Sequence, residues 1–340
     1  VERTVLDPET IAAATRMLRS AGECWAITDD AAGNQRQALA LAERLAMPVR
    51  HLVLEPRAPW SWFAPRLLSG GRLALPAAQR ELFAPPWPVA AIGCGRAAAL
   101  FTRMLRRLSD GDCFTVQILD PRIDPGEWDL VIAPRHDELA GPNVLHPVGS
   151  LNPVDDAWLD DAREAFPALG ELPGPRLGVL LGGPRRGIPM DAGYARALGD
   201  AVRRQIAGNG GSAMVVASRR TPSSLCDAVG HAVRDLPGLF WRGPSDGPNP
   251  YPGVLGWANR LLVTPDSVNM LSEACAVGCP VETLAPAPLP PRIASFHRTL
   301  RDGGWLGDGG PAAGPLRETA TLAARVSQAI RARHPDIDAS

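Results

Sequence analysis

The sequence predicts an α/β protein made of two consecutive, doubly wound Rossmann-like domains. Three observations carry this prediction. Apolar strands alternate with amphipathic helices across short loops, the same alternation starts afresh near Pro175, and the chain is 340 residues long. Such a length exceeds a single hydrophobic core, so two domains of about 150 to 170 residues are expected. Hydrophobic residues make up 45% of the chain, which supports a fully globular protein. Pro (35) and Gly (34) follow no G-X-Y period and read as turns between short elements.

The first cycle opens with "CWAITDD", a buried strand ending in a polar turn, followed by the helix "NQRQALALAERLAM" with Ala38, Leu41 and Leu45 on one face. The strand "VRHLVLEP" comes next. After a Pro- and aromatic-rich stretch come "PVAAIGCGR", the helix "AAALFTRMLRRLS" and the strands "CFTVQILDP" and "WDLVIAPRHD". Strand, helix and strand repeated with short loops argue for a parallel sheet covered on both faces. Asp155 to Pro173 reads as an acidic helix and a Pro/Gly-rich linker.

The second cycle begins with "PRLGVLLGGP", a continuous apolar strand stopped by Gly182, Gly183 and Pro184. It continues through the helix "DAGYARALGDAVRRQIAG", the strand "SAMVVASRRTP", a helix to about Arg234 and the short strand "LFWRG". It ends with a strand-turn-helix-turn-strand unit, "RLLVTPDSVNMLSEACAVGCPV". Two further helical patterns, "RIASFHRTLRDGGW" and "ETATLAARVSQAIRAR", close the chain. The expected domains are 1–155, 174–290 and a closing helical segment, 291–340, packed back on the first. Two facing Rossmann-like domains with closing helices are the GT-B arrangement.

Composition excludes several classes of function. The formal net charge is −1, which gives no general field for nucleic acid. No lysine occurs, so Schiff-base chemistry is excluded, whereas arginine pairs can hold phosphate through paired guanidinium hydrogen bonds. The cysteines Cys24, Cys94, Cys113, Cys226, Cys275 and Cys279 are scattered without zinc-ligand spacing and read as buried thiols of a reducing compartment. The N-terminal stretch carries charges throughout, and no run of about 18 apolar residues occurs. The expectation is a soluble, cytoplasmic protein, with peripheral contact to the inner membrane as an option.

Ligands of open α/β sheets bind beyond the C-terminal ends of the strands, so the turns there carry the candidate sites. In "TPDSVN", Asp266 or Ser267 is placed to cap the following helix. Along that helix Val268, Leu271, Ala274 and Cys275 form an apolar stripe, with Asn269 and Glu273 on the opposite face. Glu273 is either a ribose ligand or a solvated carboxylate. In "SRRTP", Ser218, Arg219, Arg220 and Thr221 precede Pro222, with Thr221 as the expected cap and Pro222 at the first helical position. The arginines there suit a diphosphate or are simply solvated. Gly182 and Gly183 allow close backbone approach to a ligand or a tight turn. In the first half, Gly33, Asn34 and Gln35, together with Gly93, Gly95 and Arg96, are acceptor-side candidates that lack a full GxGxxG fingerprint. His136 and Asp137 end a strand, where a general base would sit, and can equally be a turn pair. Residues 58–88 concentrate Trp60, Trp62, Phe63, Phe83 and Trp87, either as core or as a surface for a lipid-linked acceptor or membrane. No metal site is indicated.

Taken together, "AGNQRQALALAERL", "IGCGRAAAL", "DLVIAPRHD", "NVLHPVGSLNPV", "LLGGP", "SRRTP", "NPYPGVLGWANRLLVTPDSVNMLSEACAVGCPV" and "FHRTLRDGG" resemble the mitochondrial-fission "elongated mitochondria" family, whose bacterial members are often called nucleoside-diphosphate-sugar epimerase-like. The resemblance implies a second half like that of GT-B glycosyltransferases, with Glu273 as the ribose ligand and Asn249 and Tyr251 matching the family's "NPY". The first loop departs from the pattern: Asp29-Asp30-Ala31-Ala32-Gly33 stands where the family usually has Asp-Gly and a basic residue before Ala-Gly. The family brings no established reaction, and its plant members are linked to organelle division through partner recruitment. Two readings follow. One is a GT-B-type glycosyltransferase that binds a nucleoside diphosphate or its sugar conjugate, requires no further cofactor and uses His136 or Asp137 as base. The alternative is a non-catalytic scaffold of the same fold. An NAD-dependent epimerase fits poorly, since its fingerprint and its lysine are missing.

Overall fold

The computed structural model describes residues 22–206, 210–286, 288–307, 310–311 and 314–335. The N-terminal stretch read for a signal peptide lies almost wholly outside them. The chain divides into two compact units, 1–147 with 318–340, and 148–317.

The first unit is built on a parallel six-stranded sheet. Its strands are β1 (Cys24–Thr28), β2 (Val49–Val53), β3 (Ala90–Cys94), β4 (Phe114–Ile118), β5 (Leu130–Ile132) and β6 (Val144–Leu145), in the order β2-β1-β3-β4-β5-β6. β1, β3 and β4 are buried at every residue, as strands covered on both faces must be. Helices α1 (Ala32–Ala42) and α3 (Arg96–Leu108) follow β1 and β3. The strand order reverses between β1 and β3, so the turns after these two strands flank a topological switch point.

The aromatic stretch divides between core and surface. Phe83 packs edge-on against Trp25 and tilts against Phe101, and Trp60 and Trp87 lie against the same core. Trp62 and Phe63, in the short helix α2 (Trp60–Phe63), are 71% and 56% exposed.

The second unit carries a parallel five-stranded sheet of β7 (Arg176–Leu181), β8 (Ser212–Ala217), β9 (Gly238–Trp241), β10 (Arg260–Val263) and β11 (Val281–Glu282), ordered β11-β10-β7-β8-β9. Successive side chains of β7 alternate between the two faces. Leu177, Val179 and Leu181 join a core with Val202 and Val229, from helices α5 (Ala192–Ile206) and α6 (Ser223–Val233). Leu180 joins a core on the other side, with Leu159, Val254, Leu271 and Phe296. These come from helices α4 (Asp156–Ala165), α7 (Tyr251–Trp257), α8 (Val268–Val277) and α9 (Pro291–Asp302). Here the switch point falls between β7 and β10.

Two segments differ from the expected domain boundaries. The acidic stretch after residue 155 is a packed part of the second unit: Asp155 caps α4, and Arg163 donates to the Gly256 carbonyl at 2.7 Å. The closing segment divides. Its first helix, α9, buries Phe296, His297 and Leu300 in the second unit. Its second, α10 (Thr319–Arg333), belongs to the first unit, where Arg333 donates to the Gly111 carbonyl at 2.8 Å and pairs with Asp129 at 3.1 Å. A helix pattern shows which face is apolar, and leaves open which core receives that face.

Candidate functional site

At the second switch point, the turns after β7, β8 and β10 meet around Asp266, whose side chain is fully buried. The Gly182 N–H donates to Thr264 Oγ1 at 2.7 Å, and that hydroxyl donates to Asp266 Oδ1 at 2.8 Å. The Gly183 N–H donates to Asp266 Oδ2 at 3.2 Å, and Arg220 donates to the same oxygen at 2.7 Å. Arg185 adds a bond of 3.0 Å to the Asp266 carbonyl. A buried carboxylate is tolerated only when charged and polar donors surround it, as they do here.

Both glycines are demanded by this packing. A Cβ on Gly182 would lie 2.1 Å from Asp266 Oδ1, and one on Gly183 would lie 2.1 Å from the Arg220 carbonyl. Their missing side chains make room for the protein's own groups. The rim around them is cationic: Arg185, Arg219 and Arg220 are all exposed. Arg185 and Thr264 were not singled out in the sequence, although Arg185 lies in the quoted "LGGPRRG" turn and Thr264 directly precedes "PDSVN".

The capping roles differ in detail from the expected ones. Ser267 caps α8 by accepting from the Met270 N–H at 3.3 Å, which frees Asp266 to turn inward. Thr221 does not cap α6. Its hydroxyl accepts from the Ser218 N–H and donates to the Leu181 carbonyl, both at 2.8 Å, tying the β8 turn to β7. Pro222 stands at the cap position instead, and α6 has no side-chain cap, which leaves its N-terminal amide groups beside Arg219 and Arg220.

Glu273 is not a solvated residue of an outer helix face. It is 2% exposed, because α8 is buried on every side from Leu271 to Ala276. The Tyr251 hydroxyl donates to Glu273 Oε2 in a very short hydrogen bond. Asn249 is exposed and fixes Tyr251 at the start of α7 by accepting its backbone N–H at 3.0 Å. Asn269 is half-buried near the start of α8. Below this helix, His297 Nε2 bonds to the Pro265 carbonyl at 3.1 Å, and burial holds the His297 pKa down to about 4. The neutral ring therefore donates through Nε2 and supports the turn that carries Asp266.

The first switch point brings together Asp29, Asn34, Gln35 and Gly95. Asn34 Nδ2 donates to both Asp29 carboxylate oxygens at 2.9 and 3.1 Å, the Ala31 N–H donates to Oδ1 at 3.1 Å, and Gln35 donates to the Asp29 carbonyl at 3.1 Å. Gly95 adopts φ +90°, and a Cβ there would lie 2.5 Å from Asn34 Nδ2. Gly33 lies in the first turn of α1, and Gly93 in β3 faces Gln117 and Thr102. Arg96 begins α3 and donates to the Ser61 carbonyl at 3.0 Å. His136 and Asp137 lie in a 3-10 turn after β5, their side chains 3.5 Å apart and 4% and 1% exposed.

The fold defines the class of protein, a GT-B-like α/β chain. It is similar to a protein assigned as a UDP-N-acetylglucosamine 2-epimerase from Listeria monocytogenes, at TM-score 0.51 and 12% identity over 93% of this chain and 90% of that one. It is equally similar to Os79 from O. sativa, solved in complex with UDP, at TM-score 0.51 and 12% identity over 91% and 90% of the two chains. The chain belongs to the mitochondrial fission ELM1 family, whose model matches residues 32–330. It is 30% identical over 293 residues to the mitochondrial fission protein ELM1 of Arabidopsis thaliana, a match that takes in 75% of this chain and spans 66% of the plant protein's length. No helix among the described residues is long and apolar enough to cross a membrane.

Proposed function

We propose that the second unit binds a nucleoside diphosphate, free or as a sugar conjugate, at its switch point. The observation that carries this reading is the convergence of three strand-end turns on Asp266 beneath the exposed Arg185, Arg219 and Arg220. Guanidinium groups beside the uncapped N-terminus of α6 suit diphosphate oxygens. Glu273, on the adjoining helix, is the group for ribose hydroxyls, as the family resemblance implies.

Thermal-shift measurements with UDP, GDP, ADP, CMP, their sugar conjugates and NAD test the reading, since a ligand of the folded state raises its midpoint by mass action. One nucleoside diphosphate is expected to stabilise the protein, and Glu273→Ala is expected to weaken it by about five-fold or more, the loss of a hydrogen bond to a charged group. Silence across the panel with folded protein overturns the reading.

A second reading, a partner-binding scaffold, is favoured by one observation. The first switch point is filled by the chain's own Asp29 and Asn34, which leaves a negative charge at the start of α1, where an anionic ligand would bind. Stoichiometric capture of a partner without nucleotide binding would support it.

A further inference from the structure

We propose that Tyr251 competes with the nucleotide's ribose for the Glu273 carboxylate, acting as a built-in substitute for the sugar hydroxyls. The inference rests on the nucleotide reading above and specifies what limits that site. A carboxylate that is 2% exposed has to be met by donors, and the Tyr251 phenol is one of them. A phenol and a ribose hydroxyl offer the same chemistry, one O–H aimed at one carboxylate oxygen.

The contact is built into the unit. Asn249 holds the Tyr251 backbone, and the tyrosine ring packs into the same core as Leu271 and Ala274 of α8. A ribose hydroxyl that bonds Glu273 Oε2 therefore takes the place of the phenol. Tyr251 stands at the first position of α7, directly after the segment "RGPSDGPNP", in which Gly247 adopts φ +101°.

The cost of displacement lowers the apparent affinity by the fraction of molecules whose phenol has already moved. Tyr251→Phe keeps the ring and removes the competing O–H. The variant is expected to unfold at a lower temperature without ligand, because a buried acceptor loses its donor. It is expected to bind UDP, or whichever nucleoside diphosphate binds best, at least about five-fold more tightly. The matching 2′,3′-dideoxynucleotide should bind the variant and the wild type equally. Stability and affinity thus move in opposite directions, which a purely structural tyrosine would not produce.

A second measurement uses the unaltered protein. The chain has 2 tyrosines, so labelling their ring carbons gives one resonance for Tyr194 and one for Tyr251. Saturation with the ribonucleotide is expected to move the Tyr251 signal, and the dideoxy analogue to leave it in place. Unimproved affinity in Tyr251→Phe, or an unmoved Tyr251 signal at saturation, overturns the inference while the nucleotide reading stands. Absence of nucleotide binding in both proteins removes both.

Discussion

The switch point between β1 and β3 and the one between β7 and β10 occupy equivalent places in two sheets of the same kind, yet their chemistry is opposite. In the first, the Asp29 carboxylate is bonded by Ala31 and by Asn34 in the first turn of α1, and it stands at the start of that helix without positive partners among the described residues. In the second, Asp266 is sunk in the interior and covered by Arg220, with Arg185 and Arg219 exposed around it. The place of a carboxylate relative to its arginines decides what such an edge attracts. An acid at the rim repels an anion, whereas the same acid beneath a layer of guanidinium groups orders them.

The largest expected effect comes from the glycines. Gly183→Ala should lower the melting midpoint by several degrees and abolish stabilisation by nucleotide, because its Cβ meets backbone 2.1 Å away that cannot rotate aside. Gly95→Ala, strained by its φ of +90°, should lower the midpoint and leave nucleotide affinity unchanged. If both glycines affected binding equally, the distinction between the two sites would collapse.

Arg220→Ala should weaken nucleotide binding about ten-fold and also destabilise the protein, since it leaves a buried carboxylate with one charged donor fewer. Asp29→Asn, the counterpart in the first unit, should change affinity by less than about two-fold. Titration calorimetry on the pair would sharpen the comparison.

A smaller effect concerns pH. His297 has a folded-state pKa of about 4, against an ordinary 6.5. The unfolded chain therefore takes up the proton first as the medium is acidified. The contribution of His297 to stability is complete above pH 6.5 and is lost progressively as the pH falls towards 4. Wild-type melting midpoints should fall more steeply than those of His297→Gln across this window, and parallel curves would refute the assignment.

The smallest effect is expected at the surface of the first unit, where Trp62 and Phe63 stand exposed. If they meet a lipid face, wild-type protein should sediment with anionic vesicles and the double alanine variant several-fold less. Wild-type protein that stays in the supernatant would end that proposal.

The alternation of strands and helices was legible because buried parallel strands read as continuous apolar runs, such as "LGVLL" in β7. The turns around Asp266 were legible as well, as polar or glycine-rich sequences at strand ends. Which polar residue turns inward was not. Asp266 and Ser267 are equally good caps by type, and only the partners Thr264, Gly183 and Arg220, brought from distant turns, decide between them. Glu273 was legible as a candidate, but its burial was not: a polar position opposite an apolar stripe reads as solvent-facing until α7 is laid against it. The linker and the first closing helix were misplaced because amphipathic patterns carry no address.

The return of α10 to the first unit makes the second unit an insertion, since residues 148–317 lie between the two pieces of the first. During synthesis the inserted unit emerges whole, while its host still lacks the helix that covers α1 and ties Arg333 to Gly111 and Asp129. The order of completion is therefore the reverse of the order of the sequence: the unit whose sheet is translated first is finished last. A released chain ending just before Thr319 would carry the whole second unit and lack the last helix of the first.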